Sequence, residues 1–248
     1  MIREPCAGVL LTVSTPVAAV DSTLRSAKGK QGRAIHFCNA HTLSIAHADD
    51  AYRELLTRAG ACYPDGQSVV WVRKVLNRNS RMHKVSGPDF FEAVLGASSA
   101  GGPLHYLLGG DEPTLEGLRR QLAARFPEAQ VVGWESPPFR KLTDDEVRAQ
   151  DDRIRDSRAE IVWVGLGTPK QDYEVRRLAD ALPVTAVAVG AAFDFTAGTK
   201  PRAPRWMRSA GLEWLHRLAS EPRRLWRRYL IGNVVFVWAA WRRRDFTS

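Results

Sequence analysis

Short apolar runs alternate with stretches of helical periodicity along most of the chain. Ala34–Cys38 (AIHFC), Ala61–Tyr63, Leu104–Leu108 (LHYLL), Ala129–Val132, Ile161–Val164 and Thr185–Val189 read as strands. Near the start, Val9–Val13 reads as a further strand followed by a turn. Between them, apolar residues at helical spacing predict helices over Thr42–Ala59, Gln67–Leu76, Gly87–Leu95, Thr114–Phe126, Thr143–Ser157 and Thr168–Ala181. Thr143 with Glu146 three residues on is a capping-box pattern. Strand, glycine turn, helix, repeated, predicts an α/β fold: a Rossmann-like, mainly parallel sheet with helices on both faces. The runs are short and rich in β-branched residues, as strands buried on both faces should be.

In such sheets ligands bind beyond the carboxyl ends of the strands. The polar and glycine residues that follow the strands here are Asn39, Asp65, Gly109-Gly110, Gly165 to Gln171, and Gly190 to Asp194. Asp65, inside Pro64-Asp65-Gly66, is either a turn residue or a carboxylate placed to take a proton. Asn39 either caps the following helix or bonds a sugar or base. Gly165-Leu166-Gly167-Thr168-Pro169-Lys170-Gln171 is a strand–turn–helix junction whose glycines let a ligand approach the backbone and whose helix start favours an anion. It is neither G-x-G-x-x-G nor a P-loop, which argues against nicotinamide cofactors and ATP hydrolysis. Asp194 is a second carboxylate candidate, with a structural role as its plainer reading.

The 248 residues hold 44% hydrophobic and 25% charged residues, ordinary globular usage. No apolar run is long enough for a membrane span. Three cysteines, Cys6, Cys38 and Cys62, do not make a disulfide framework, and a reducing cytosol is the expected setting rather than secretion. His36, His41, His47, His83, His105 and His216 show no metal-ligand spacing and are assigned to packing or solvent. No metal and no cofactor are expected.

Charge changes the picture at the C-terminal end. The formal net charge is +9, and residues 201–248 contribute nearly all of it: eleven arginines stand there against Glu213, Glu221 and Asp245. Five of the eight tryptophans fall in the same stretch. The prolines of Lys200-Pro201-Arg202-Ala203-Pro204 mark the boundary, so the chain divides into an α/β core over 1–200 and an appendage over 201–248, with helices at Gly211–Ala219 and Pro222–Leu230. Arginine interleaved with tryptophan suits nucleic acid, an anionic bilayer surface or a diphosphate. Tyr229–Trp241 is apolar, too short to span a bilayer but long enough to lie on one or close over a pocket.

Taken in order, Asn39, Pro64-Asp65-Gly66, Val85-Ser86-Gly87-Pro88-Asp89, Leu108-Gly109-Gly110, Val164 to Gln171, Gly190 to Gly198, Arg202-Ala203-Pro204, Gly211 to Leu215 with Arg217-Leu218, and Glu221 to Arg224 with Arg228-Tyr229 resemble the WecG/TagA/CpsF glycosyltransferase family (glycosyltransferase family 26). The resemblance runs from roughly Ala34 to Tyr229. It implies an inverting, metal-independent transfer of a sugar of N-acetylmannosamine, glucose or uronic-acid type from a UDP-sugar to a polyprenyl-diphosphate-linked acceptor. The products it implies are cell-wall polymers, teichoic acid among them, and exopolysaccharides. It makes Asp65 the general base and puts Gln171 in the active site. Substrate contacts are expected from Asn39, Lys84, Gly109, Gly110, Gly167, Lys170 and Asp194, with Arg202, Arg217, Arg224, Arg227 and Arg228 as the cations available to departing UDP. It also implies a peripheral association of the appendage with the inner face of the cytoplasmic membrane, and self-association is a further expectation.

Three positions depart from the family's usual pattern. Phe37 stands where it has Thr, Lys84 where it has Arg, and Asp172 where it has Glu. Lysine keeps the charge of arginine but loses the bidentate fork. The rival readings are a different nucleotide-dependent α/β enzyme and a nucleic-acid-binding protein working through its Arg/Trp tail. The second explains the tail but leaves the strand-end Asn, Asp and Gln without a role, so no nucleic-acid partner is expected.

Overall fold

A computed structural model describes residues 2–29 and 31–242, with the side chains of Ser209, Arg224 and Arg228 left undescribed. The chain opens on an antiparallel hairpin, β1 (Arg3–Cys6) and β2 (Val9–Thr12), turned by Ala7 and Gly8, both at positive φ. Then come α1 (Pro16–Ala27), β3 (Arg33–Cys38), α2 (Ala40–Ala48), α3 (Asp50–Thr57), β4 (Ala61–Pro64), α4 (Gln67–Leu76) and α5 (Gly87–Ala97). The middle of the chain runs β5 (His105–Gly109), α6 (Glu112–Arg125), β6 (Val131–Glu135), α7 (Asp144–Asp156), β7 (Ile161–Gly165), α8 (Lys170–Ala181), β8 (Thr185–Ala188) and α9 (Ala192–Ala197). The C-terminal part is helical: α10 (Arg205–Ser209), α11 (Glu213–Ser220), α12 (Pro222–Trp226), a π turn over Arg227–Ile231, and α13 (Gly232–Arg242).

Six strands form one sheet in the order β4-β3-β8-β7-β5-β6, with parallel pairing between β3 and β8, β8 and β7, β7 and β5, and β5 and β6. This is the expected α/β architecture with a helical C-terminal part. Several element bounds differ from the periodicity reading. The pattern over 42–59 breaks into α2 and α3 because the Asp49 side chain accepts from Tyr52 N–H at 3.0 Å and starts a new helix. The capping box at Thr143 and Glu146 is present with both of its hydrogen bonds.

By packing, the chain groups into two compact units. One comprises Met1–Pro16, Phe37–Ser86 and Arg202–Ser248; the other comprises Val17–His36 and Gly87–Pro201. The core of the first is drawn from the hairpin (Val9, Leu11), from α2, α3 and β4 (Leu43, Tyr52, Leu56, Cys62), and from Phe236, Ala239 and Ala240 of α13. α13 lies on α2, with Trp238 edge-on to His47 at 5.1 Å between ring centroids. Its other face leaves Val234, Val237 and Trp241 exposed, in line with Leu230 and Ile231 of the π turn. Within this unit Glu4 reaches α4 and the loop that follows it. Its carboxylate accepts from Arg73 Nε (3.1 Å), Ser80 Oγ (2.6 Å) and Arg81 N–H (3.1 Å). Burial pushes that carboxyl up, but these hydrogen bonds outweigh it and hold it below its usual value.

The second unit is cored by Val162, Val164, Val175, Leu178, Ala186 and their neighbours, with α9 packed on α5 and α6. His105 at the head of β5 is wholly buried. Its Nδ1 accepts from Trp163 Nε1 at 3.2 Å, so the ring proton lies on Nε2 and is donated to Ser98 Oγ at 3.0 Å. Ser98 in turn donates to Val94 O at 2.8 Å. With every polar atom of the neutral ring engaged, burial drives the His105 pKa down to about 4.

Candidate active site

The first unit places two of the sequence-predicted residues at adjoining strand ends. β3 ends at Cys38, and Asn39 caps α2: its Oδ1 accepts from His41 N–H (3.0 Å), Thr42 N–H (3.1 Å) and Thr42 Oγ1 (3.3 Å). The carboxamide oxygen is thus engaged in the cap, and Nδ2 is the group Asn39 has to offer a ligand. β4 ends at Pro64, and the next residue is Asp65. Its N–H donates to Cys38 O at 3.0 Å, while Val85 N–H donates to Pro64 O at 2.9 Å. The backbone under the carboxylate is therefore fixed from both sides. Gly66 turns the chain away at φ +100, a conformation that a side chain disfavours. A Cβ there would stand 4.0 Å from that of Asn39, which shows how near the two turns are.

Lys84, next to Val85, has its Nζ 4.0 Å from Glu213 Oε2, at the start of α11. Both side chains are about one-fifth exposed, at 19% and 20%. Sequence reasoning gave Glu213 no role of its own; an acid in a helix's first turn is ordinary dipole chemistry, and nothing in the spacing announces its partner. Gly211, just before, leaves no room for a side chain: a Cβ would meet Gln67 Cβ at 2.7 Å and the Trp71 ring at 3.2 Å. The segment carrying Glu213 therefore lies directly on the start of α4. Arg202 and Arg217 are half-buried in the same unit, and the exposed Arg227 sets its guanidinium over Trp226 at 5.2 Å from the ring centre. The side chains of Arg224 and Arg228, and the residues Arg243, Arg244 and Asp245, lie outside the described ones.

The second unit gathers the glycine-rich strand ends. Gly109 closes β5 at φ +117, and a Cβ there would come within 2.7 Å of the Gly165 backbone at the end of β7. Gly165 in turn faces the Phe193 ring, which a Cβ would meet at 2.6 Å. Gly110 O accepts from Ser136 Oγ at 2.7 Å, and Asp111 caps α6 through Thr114 N–H at 2.9 Å. That bonding to Thr114 lowers the Asp111 pKa.

Beyond β7 the chain turns through Gly167 and a cis Thr168–Pro169 bond into α8. Gln171, 6% exposed, folds back over this turn: its Oε1 accepts from Gly167 N–H at 3.0 Å and its Nε2 donates to Thr168 Oγ1 at 3.4 Å. Gly190 bounds it on another side, since a Cβ there would stand 3.4 Å from Oε1. Lys170 is exposed. Asp194 is half-buried rather than buried, and its Oδ2 pairs with Lys200 Nζ at 3.0 Å. Beside Gln171, the buried Asp172 meets the buried His36 on β3, Oδ1 to Nδ1 at 2.8 Å. A lone histidine in an apolar strand gave no sign of this pairing.

Asn39, Asp65 and Lys84 are thus brought together in one unit, and Gly109, Gly167 and Gln171 belong to the strand end of β5 and the β7–α8 junction of the other. A family model described as the Glycosyl transferase WecG/TagA/CpsF family matches residues 5–248. The chain belongs to that family. It is a glycosyltransferase, and the α/β sheet with a helical C-terminal part is the frame on which this WecG/TagA/CpsF member carries its chemistry.

Glycosyl transfer asks for a carboxylate near the acceptor hydroxyl and for positive charge near the leaving group. In this WecG/TagA/CpsF chain Asp65 and Lys84 bring a carboxylate and an ammonium group into one unit. Among the described residues no group of three or more His, Cys, Asp or Glu side chains is gathered to hold a metal ion, and no helix is long and apolar enough to cross a membrane.

Proposed function

We propose that this glycosyltransferase moves a sugar of N-acetylmannosamine, glucose or uronic-acid type from a UDP-sugar to a polyprenyl-diphosphate-linked acceptor, with inversion and without a metal ion. Inversion is a single displacement. Asp65 removes the proton from the acceptor hydroxyl as the oxygen attacks the anomeric carbon, and UDP leaves from the opposite face. Gln171 acts in the transfer, and Asn39, Gly109, Gly110, Gly167, Lys170 and Asp194 contact the substrates. The sequence holds no Asp-x-Asp motif, so Lys84, Arg202, Arg217, Arg224, Arg227, Arg228 and the helix N-termini neutralise the diphosphate. Charge already in place before reaction is often the largest catalytic contribution, worth about 3 kcal/mol per donor.

The observation that carries this reading is the turn after β4. It presents a carboxylate at a strand's carboxyl end, with its backbone held by Cys38 and by the Val85–Pro64 bond, and with Asn39 beside it. In this reading residues 1–200 are the catalytic core, and 201–248 an appendage that completes the active site and rests on the membrane. The exposed Leu230, Ile231, Val234, Val237 and Trp241 support that role, since arginine with tryptophan and an apolar stripe suits the headgroup level of an anionic bilayer. The setting is the inner face of the cytoplasmic membrane, the products are surface polysaccharide or cell-wall polymers, and the protein acts as a homo-oligomer.

The test is UDP release by purified protein against a panel of UDP-sugars, with and without a polyprenyl-diphosphate-linked sugar. One donor should give acceptor-dependent release, and Asp65→Asn should lower its kcat by about 10²- to 10⁴-fold with the fold intact. Near-normal transfer by Asp65→Asn would reject Asp65 as the base. Tight RNA binding by a protein that neither releases UDP nor binds vesicles would favour a nucleic-acid role for the tail.

A further inference from the structure

The transfer as set out above makes no use of the buried His36–Asp172 pair. His36 has no exposed surface and Asp172 is 1% exposed. Removing two ionisable groups from water is costly, and well-packed apolar residues in their place are often neutral or stabilising. Such a pair is therefore a poor device for stability alone. What it supplies is direction, because a hydrogen bond of 2.8 Å fixes one group against another far more tightly than apolar contact does.

The groups so fixed are β3 and the first turn of α8. Gln171 is the residue next to Asp172, and the same turn holds it: Gln171 N–H donates to Gly167 O at 2.9 Å, and Asp172 N–H to Pro169 O at 2.9 Å. The carboxamide has a single berth, defined by Gly167 N–H, Thr168 Oγ1 and the close wall of Gly190. A displacement of Asp172 is thus passed directly to the Gln171 backbone and alters where its amide can reach.

We propose that His36 is a positioning residue which, through Asp172, sets the Gln171 carboxamide for glycosyl transfer. The inference rests on the reading that Gln171 acts in the transfer.

The experiment compares His36→Leu/Asp172→Leu with Asp172→Asn in the full chain. The double leucine variant keeps the packing and loses the bond; Asp172→Asn keeps a hydrogen bond to His36 and loses the charge. The double variant should melt within a few degrees of the parent while its kcat for UDP release falls by about tenfold to a hundredfold, with the donor KM little changed. Asp172→Asn should stay within a few-fold of the parent. In a Gln171→Ala background the leucine pair should cost nothing further.

The Gln171 side-chain amide resonance, recognised by its loss in Gln171→Ala, should move in the double variant and stay in place in Asp172→Asn. Unaltered kcat with an unmoved resonance, or full additivity with Gln171→Ala, would overturn the proposal. A parent protein that releases no UDP from any donor would overturn the reading of function instead, and the resonance alone then decides the positioning. Should the leucine pair fail to fold, Asp172→Ser, too short to reach His36, is read in the same way.

Discussion

Acidifying the protein should destabilise it through His105. The ring is buried with Nδ1 taken by Trp163 and its one proton donated to Ser98, so the protonated form would carry a second N–H with nowhere to go but the Trp163 N–H. Its pKa is about 4 in the fold against an ordinary 6.5. The sign follows from proton counts. Above pH 6.5 neither folded nor unfolded chain protonates the ring, and stability is unaffected. Between 6.5 and 4 the unfolded chain takes up a proton that the folded chain refuses, so stability falls with pH.

At one unit of pKa per 1.36 kcal/mol, the loss from neutral pH to about pH 5 is about 2 kcal/mol, approaching about 3 kcal/mol below pH 4. The assay is urea unfolding from pH 7.5 to 5 for the parent and His105→Gln, whose side chain does not titrate. The variant should start lower and fall less, with the difference between the two curves closing by about 2 kcal/mol. Ring resonances followed by NMR should show His105 still neutral at pH 5. Parallel curves, or a ring that protonates near pH 6.5, would refute the argument.

Other perturbations follow from the same structure. Glu4→Gln should lower unfolding stability by about 3 kcal/mol, because Arg73, nearly buried, is left without its counter-charge; a change under 1 kcal/mol by urea titration would show that Arg73 finds another partner. Gly109→Ala should be among the most damaging glycine substitutions, since φ is +117 and the methyl would lie 2.7 Å from the Gly165 backbone, and it should leave little folded protein by circular dichroism. Val234→Ser/Trp241→Ser should weaken sedimentation with anionic vesicles severalfold while leaving the melting temperature near that of the parent, because both side chains are exposed; equal vesicle binding would remove that face from the membrane contact.

Much of the frame was legible because strand and helix announce themselves through burial. Ile161–Val164 and Leu104–Leu108 are wholly apolar or nearly so, as strands covered on both faces must be. α1 escaped notice because its buried face is built from Ala19, Val20, Thr23 and Ala27, too small and too mixed in polarity to mark a stripe. The 129–132 reading starts two residues ahead of β6 because this edge strand is open to solvent: its burial alternates half-buried with exposed over 131–135, and its apolar signal is correspondingly weak.

At the site, Asp65 and Asn39 were legible from their place after strands. The cap made by Asn39 was one of two readings that sequence left open, and the structure shows its oxygen engaged there. Glu213 beside Lys84, and His36 beside Asp172, were not legible, because 129 and 136 residues separate the partners and local pattern carries no information about which distant residues a fold will join.

The first unit is stitched from three lengths of chain, the last of which follows the second only after Gly87–Pro201. As the polypeptide leaves the ribosome, the hairpin and α2 emerge early, yet the surface of α2 that α13 covers has no cover until residues 232–242 have followed the whole second unit out. The nascent protein thus carries a bare apolar surface through most of its synthesis, a target for chaperones and a hazard for aggregation. Any shortening that removes Phe236, Ala239 and Ala240 would make that temporary exposure permanent.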